Sequence, residues 1–326
     1  MLVAVTGAAG HIGGLLIRRL SDAGHTVRAL VHTDTRAVEG VPVERVEGDV
    51  RDVDSLRRLV DGTEVVFHCA ARISIENVPH AKIQEINVLG PRNVVTACLD
   101  AKVRRLIHFS SIHAIESLPK DQPVDERRPR TVEHHIPYDR SKALGEGEIR
   151  AGIARGLDAV IVNPTGVVGP YDFRLSRMGR VLTQIYHGTL PALVDGGFNW
   201  VDVRDVVKSA MAAVEKGRTG ENYLLGGNWV HFNDVGRTIY EVTGKRPPRI
   251  TAPLWLARVG VPFVGAWAKL TGTEPLYTGP SLHTVENHLV VSSDKARAEL
   301  GHTSYTFKET VTDTFAWFRE AGMLKD

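Results

Sequence analysis

Along the first half of the chain, short runs of β-branched and apolar residues alternate with longer stretches whose apolar positions recur at helical spacing. The runs fall at roughly 2–6, 26–31, 43–47, 64–68, 104–110 and 158–163, and helical patterns fill most of the gaps. Strands separated by helix-length amphipathic segments are joined by crossovers, a connection that makes neighbouring strands parallel. The pattern predicts an α/β protein built on a doubly wound parallel sheet.

Beyond Asn163 the alternation becomes irregular. Helical patterns near 203–216, 232–243, 253–271 and 306–321 are separated by short runs richer in Gly, Pro and Trp. The chain therefore divides into a core over 1–163 and a smaller part over 164–326 that covers the substrate, with a stretch near 200–230 returning to the core. No internal repeat, low-complexity tract or flexible linker stands between them, so the two parts are expected to pack closely. The most apolar later stretch, Pro253 to Leu270, is interrupted by Arg258, Pro262 and Lys269. It is too short and too broken to serve as a transmembrane segment and reads as a lid or surface contact.

Composition narrows the partners. Forty basic and 38 acidic residues leave a net charge of +2, a balance that argues against nucleic acid or an anionic membrane as the main partner and for a small-molecule substrate. The only two cysteines, Cys69 and Cys98, lie in apolar stretches, as buried thiols of a reducing, cytoplasmic compartment would. The start of the chain, MLVAVTGAAGHIGG, lacks the basic region of a signal peptide.

That start carries the first chemistry. Gly7, Gly10 and Gly13 stand between an apolar strand and an amphipathic stretch beginning LLIRRL. In this order the first glycine permits a tight turn, the second lets backbone approach a pyrophosphate, and the third allows close helix packing. The helix N-terminus then offers unpaired N–H groups to the phosphates. A bare turn without ligand would show the same glycines, but strand, turn and helix occur in the sequence that dinucleotide binding requires.

Asp49, in EGDVRD after the third strand, could accept hydrogen bonds from an adenine amino group, with Val50 beside it, or could cap the helix starting near Asp52. Ala70 and Ala71, after the fourth strand, are small where a ribose or diphosphate must pass, or are close-packed core. An acidic residue at the end of the second strand would bind the adenosine 2′-hydroxyl, whereas Arg would accommodate a 2′-phosphate. Here His32 stands in the key place, Arg36 is close behind, and from the second strand onward no carboxylate comes until Asp34. NAD(P) is the expected cofactor, and the pattern favours NADP over NAD.

Tyr138 and Lys142, in PYDRSKALGE, are four apart and so share one helix face. A tyrosine is a poor base at neutral pH, but a nearby ammonium and an oxidised nicotinamide both favour phenolate, so Tyr138 could exchange a proton with a substrate hydroxyl. The pair alone arises often by chance. Ser110 and Ser111 end the fifth strand, where parallel sheets present groups to a ligand crevice, and adjacent strand residues face opposite ways. Asn87, in EINVLGPRN, could anchor a water or serve as a structural amide.

Together, TGAAGHIG, GDVRD, HCAA, INVLG, HFSS, YDRSK, NPTGVVGP and WVDVRDV resemble, in order and spacing across the whole chain, the extended short-chain dehydrogenase/reductase family. Within that family the chain is most similar to the dihydroflavonol reductase-like, 3β-hydroxysteroid dehydrogenase-like and hopanoid-associated epimerase-like branches. The resemblance implies a Rossmann sheet with a C-terminal substrate-binding part. It implies that Ser111 bonds the reacting oxygen, Tyr138 is the acid/base, and Lys142 tunes the tyrosine and holds the nicotinamide ribose. It places His11 and Ile12 over the pyrophosphate and Pro164 and Val167 beside the nicotinamide. Homodimerisation through helices near 80–101 and 137–155 is also expected from it.

Ile112 and His113 follow Ser111 where sugar-nucleotide dehydratases would have an acidic pair, so a ketone or secondary alcohol is the expected substrate. Arg72, Ile73, His113, His135, Val168, Phe198 and Trp200 are the expected pocket residues. No metal is expected, because the histidines lack ligand spacing. Two other readings stay open: a sugar epimerase that retains NAD, and a non-catalytic dinucleotide-binding redox sensor.

Overall fold

The computed structural model describes residues 1–73, 80–133, 136–271, 278–279, 281–282, 285 and 290–324, with backbone alone at 80 and 263–271. In chain order the strands are β1 (Leu2–Thr6), β2 (Thr26–Val31), β3 (Glu44–Glu47), β4 (Val65–His68), β5 (Arg105–Phe109), β6 (Ala159–Pro164), β7 (Gly166–Val168), β8 (Leu193–Val194), β9 (Gly197–Asp202), β10 (Asn222–Leu225), β11 (Asn228–His231) and β12 (Thr251–Ala252). The helices are α1 (His11–Asp22), α2 (Val53–Val60), α3 (His80–Gln84), α4 (Gly90–Asp100), α5 (Pro137–Ala154), α6 (Arg177–Tyr186), α7 (Val203–Lys216), α8 (Phe232–Thr243), α9 (Leu254–Thr271), α10 (Asp294–Leu300) and α11 (Phe307–Glu320). Each of the six strands expected in the first half forms within one residue of its predicted ends.

Those six strands and β10 make one parallel sheet in the order β10-β6-β5-β4-β1-β2-β3. The order reverses between β1 and β4, which opens a crevice at the carboxyl ends of these strands, where open α/β sheets bind ligands. Alternation along each strand feeds two cores. Val3 and Val5 of β1 pack with Leu16, Ile17 and Val206 from α1 and α7 on one face. Ala4 packs with Leu56, Val94 and Ile149 from α2, α4 and α5 on the other.

Local signals set the helix ends. Asp52 accepts the N–H of Asp54 to start α2, Asp202 accepts that of Arg204 to start α7, and Thr306 with Glu309 forms a reciprocal cap on α11. The three-stranded sheet β11-β9-β7 and the β12-β8 pair carry the second part. Their core holds Leu182, Ile185, Phe198, Trp200, Val235 and Phe315. The sequence pattern shows these two small sheets less clearly, because each strand is only two to six residues long.

Candidate active site

The chain leaves β1 at Thr6 and turns at Gly7, whose φ of +72° is a left-handed conformation that a side chain would strain. A Cβ on Gly7 would meet the Ala70 backbone N at 2.5 Å, and one on Gly13 would meet the Gly7 carbonyl oxygen at 2.2 Å. The first and third glycines thus let three backbone segments touch. Gly10 caps α1 without any side-chain hydrogen bond, so the first N–H groups of a twelve-residue helix open onto a cavity lined by Gly7, Gly10, His11, Ile12 and Gly13. The loop fits a diphosphate on these grounds: a bare backbone cradle and a helix N-terminus with no carboxylate of its own in the first turn.

The same cavity, about 300 Å³ in volume, reaches Ser111, Tyr138 and Lys142. Ser111 follows β5 in extended conformation, accepts the His113 N–H at 3.2 Å and shares a hydrogen bond with Tyr138. Ser110 also lines the cavity, but its buried hydroxyl has no partner among the described residues. Tyr138 and Lys142 are 6% and 4% exposed, one turn apart on α5. Burial pushes the Tyr138 phenol well up, Asp139 adds to the rise, and the Ser111 hydrogen bond opposes it. Burial also pushes Lys142 down to about 8, against the pull of Glu146 and Cys69. The Lys142 ammonium donates to the Phe109 carbonyl at 3.0 Å, and burial is the largest influence on the phenol.

A buried polar network that the sequence reading overlooked holds these groups in place. Glu146 is fully buried one turn beyond Lys142. Its carboxylate accepts from Asn163 at 2.6 Å, Arg130 at 2.7 Å and Asn222 at 3.1 Å, tying α5 to β6 and β10. Asn163 donates also to the Ser111 carbonyl at 3.0 Å. One carboxylate thus fixes both the helix of Tyr138 and the loop of Ser111. Its signal was the spacing of Tyr138, Lys142 and Glu146, which lie on one helical stripe.

Asn87 serves as a structural amide. It sits in a π-helical turn, Glu85–Leu89, accepts the Arg72 N–H at 2.8 Å and donates to the Arg72 carbonyl and to Ser141 of α5, each at 3.0 Å.

Of the expected pocket residues, Ile73, His113 and Phe198 line the cavity, as do Ala71, Pro164 and Val167 from the expected cofactor set. His113 is oriented by the buried Asp139, 3.0 Å from its Nδ1, and its ring meets the edge of Tyr138 at 5.3 Å. Three others do not line this cavity. Trp200, two residues beyond Phe198 on the same face of β9, is carried past the cavity into the core against Phe232 and Phe307. Val168 is 2% exposed in that same core. Arg72 is exposed, and Asn87 holds only its backbone. His135 lies outside the described residues.

Sequence reasoning missed the far wall, where Met178, Val181, Leu190, Leu193, Phe232 and Val285 face the cavity. They come from several separate segments, and nothing local distinguishes them from core residues.

The residues expected near an adenosine, His32, Arg36, Asp49, Val50 and Ala70, lie outside this cavity. Asp49 does not cap α2, a role taken by Asp52; it accepts from the Arg51 backbone and guanidinium, and Arg51 holds its carboxyl below the usual range. Val50 is buried against Gly90, and Ala70 packs on the α2–α4 core. His32 is exposed, its Nε2 3.7 Å from Asp49. Arg36 is committed to Asp34 through two hydrogen bonds at 3.1 and 2.8 Å, and Arg174 pairs with the same carboxylate. The expectation of NADP over NAD therefore gains no support from Arg36.

Comparison with known proteins agrees with the geometry. The profile of the NAD dependent epimerase/dehydratase family matches residues 3–226. Sterol demethylase protein B of Methylococcus capsulatus is 34% identical over 99% of this chain and 100% of its own. A protein of Synechocystis named for dihydroflavonol 4-reductase is 32% identical over 98% of this chain and 95% of its own. The crystal structure of gox2253 superposes with a TM-score of 0.86 at 34% identity, covering 99% of each chain.

Proposed function

Because this chain belongs to the NAD-dependent epimerase/dehydratase family of extended short-chain dehydrogenase/reductase enzymes, we propose that it exchanges a hydride with a ketone or secondary alcohol carried on an apolar body. The observation that carries this reading is the convergence of Ser111, Tyr138 and Lys142 with the glycine loop in one cavity whose far wall is apolar.

A nicotinamide cofactor held in this cavity, with its diphosphate on the glycine loop, would supply or accept the hydride. In the reducing direction Tyr138, kept neutral by burial, gives its phenolic proton to the carbonyl oxygen as that oxygen gains charge. The Ser111 hydroxyl holds the same oxygen within reach. Lys142, still largely protonated at neutral pH, steadies the tyrosine as it becomes phenolate. In the oxidising direction Tyr138 takes the hydroxyl proton back. His113, set by Asp139, faces the substrate from beside Tyr138.

The substrate class follows from the far wall. Met178, Leu193, Phe198 and Phe232 offer dispersion contact to rings or chains, and Arg177 is the one cation on that side among the described lining residues. A sugar diphosphate would need more donors than this wall presents. A relative named for a reductase and another named for sterol chemistry support the same reading.

The test is turnover by purified wild type and Tyr138→Phe with NADH and NADPH against sterol, flavonoid and smaller ketones, with prebound nucleotide assayed in parallel. Tyr138-dependent oxidation of added cofactor is expected. Retained NAD with no net turnover, together with interconversion of nucleotide sugars, would replace this reading with an epimerase.

A further inference from the structure

Helix α9 presents an apolar stripe to solvent. Trp255, Val259 and Pro262 follow one another at helical spacing and are exposed, with Leu256 beside them. Trp255 is 66% exposed, Val259 58% and Leu256 47%, while Ile250, just before the helix, is 64% exposed. Isolated exposed apolar residues are ordinary, but a contiguous group containing a tryptophan marks a surface built to meet something. The opposite side of the helix is anchored, since Leu254 packs on the cluster of Leu193, Phe198, Phe232 and Val285 that walls the cavity.

Along the sequence the charge of this segment is one-sided, although the exposed Asp195, whose N–H donates to the Ala252 carbonyl, stands beside its start. Between Gly244 and Thr273 the chain carries Lys245, Arg246, Arg249, Arg258 and Lys269 and no carboxylate. The net charge of the whole protein hides this, because it averages a cationic segment over a balanced sequence. Arg246 and Arg249 are exposed and make no ion pair with any described residue. Arg258 is exposed between Trp255 and Val259.

We propose that this face docks on an anionic lipid surface, with Trp255, Leu256 and Val259 entering the headgroup boundary while the flanking cations meet lipid phosphates. Apolar insertion beside basic side chains is the recognition that such a surface rewards. A second copy is the weaker occupant. A twofold contact through this face would oppose the same cations to one another. The helix lies on the membrane and does not cross it; among the described residues no helix is long and apolar enough to span one. Docking would set the apolar end of the cavity beside the compartment in which apolar carbonyl compounds partition. The inference is read without turnover, so it stands or falls separately from the catalytic reading.

The experiment is flotation of the full chain with vesicles of phosphatidylcholine alone and of phosphatidylcholine with phosphatidylglycerol, at low and raised salt. Wild type should float with the anionic vesicles at low salt, and its tryptophan emission should shift to the blue. That shift should be lost in Trp255→Phe, which still binds. Trp255→Ser with Val259→Ser, and separately Arg246→Glu with Arg249→Glu, should each lower binding on the order of tenfold. Both double variants should keep the wild-type Tm and nicotinamide affinity. The proposal fails if wild type stays in the aqueous fraction with both vesicle types, or if binding survives both double variants. It also fails if the variants instead abolish a concentration-dependent dimer seen without vesicles.

Discussion

The two walls of the cavity are held in opposite ways. Beneath Tyr138 and Lys142, Glu146 gathers hydrogen bonds from Asn163, Arg130 and Asn222, and Asn163 passes the constraint on to Ser111. Across the cavity, Met178, Leu193, Phe198 and Phe232 are held by packing from α6, α8 and the small sheets. Hydrogen bonds are directional and fix atoms to within tenths of an ångström, as proton transfer demands, whereas apolar contact specifies volume and tolerates change of shape. The first wall is thus suited to chemistry and the second to choice of substrate.

The sharpest separation of the two walls is expected at the reacting atoms. Tyr138→Phe should lower kcat about 100- to 10,000-fold, the range of a lost general acid, while nicotinamide affinity and Tm stay near wild type. A loss below about tenfold in steady-state turnover would remove Tyr138 from the chemistry. Next in size is Glu146→Ala, which leaves Arg130, Asn163 and Asn222 facing a void. It should cost about 3 kcal/mol of stability in urea melts, the scale of a broken buried ion pair, and lower kcat in the fraction that remains folded. If Glu146→Ala melts like wild type, the network is not what holds this wall.

A comparable effect is expected from proton linkage at Lys142, which isolates one member of the first wall. Its folded pKa of about 8 lies below the ordinary 10.5, so between these values the unfolded chain holds a proton that the folded chain has released. Stability contributed by this site therefore rises with pH across the window, at about 1.4 kcal/mol per pH unit and roughly 3 kcal/mol in total. Wild type should gain that amount relative to Lys142→Met in urea melts from pH 8 to 10.5. Over the same range kcat of wild type should fall as the ammonium is lost. Parallel stability curves for the two proteins would mean that Lys142 titrates near its ordinary value.

The contrast between the walls also explains what the sequence could reveal. The six strands of the first half were legible because apolar runs and helical stretches alternate cleanly, and the glycine loop because strand, turn and helix follow in a functional order. Tyr138 and Lys142 stood out through their spacing, and so in principle did Glu146, which continues their stripe, whereas strand-end position offered Ser110 and Ser111 alike and only the family resemblance chose Ser111. The far wall was not. Phe198 and Trp200 stand two apart on one face of β9, yet one lines the cavity and the other fills the core. Arg36 looked available for a phosphate until the side chain of Asp34, two residues earlier, was seen to hold it.

The smallest expected effect tests the second wall. Met178 lies partly buried on α6, where its thioether side chain faces the cavity and can fill irregular space. Met178→Ser withdraws apolar contact from a bound substrate and forms no part of the hydrogen-bonded network beneath Tyr138. It should therefore raise KM for an apolar ketone about tenfold, the value of one or two lost methylene contacts, with kcat unchanged, because the interaction is as strong in the ground state as in the transition state. The effect should shrink for a ketone too short to reach the far wall. If kcat falls while KM holds, Met178 acts on the reacting atoms, and the division of the cavity into a wall for chemistry and a wall for selection is wrong.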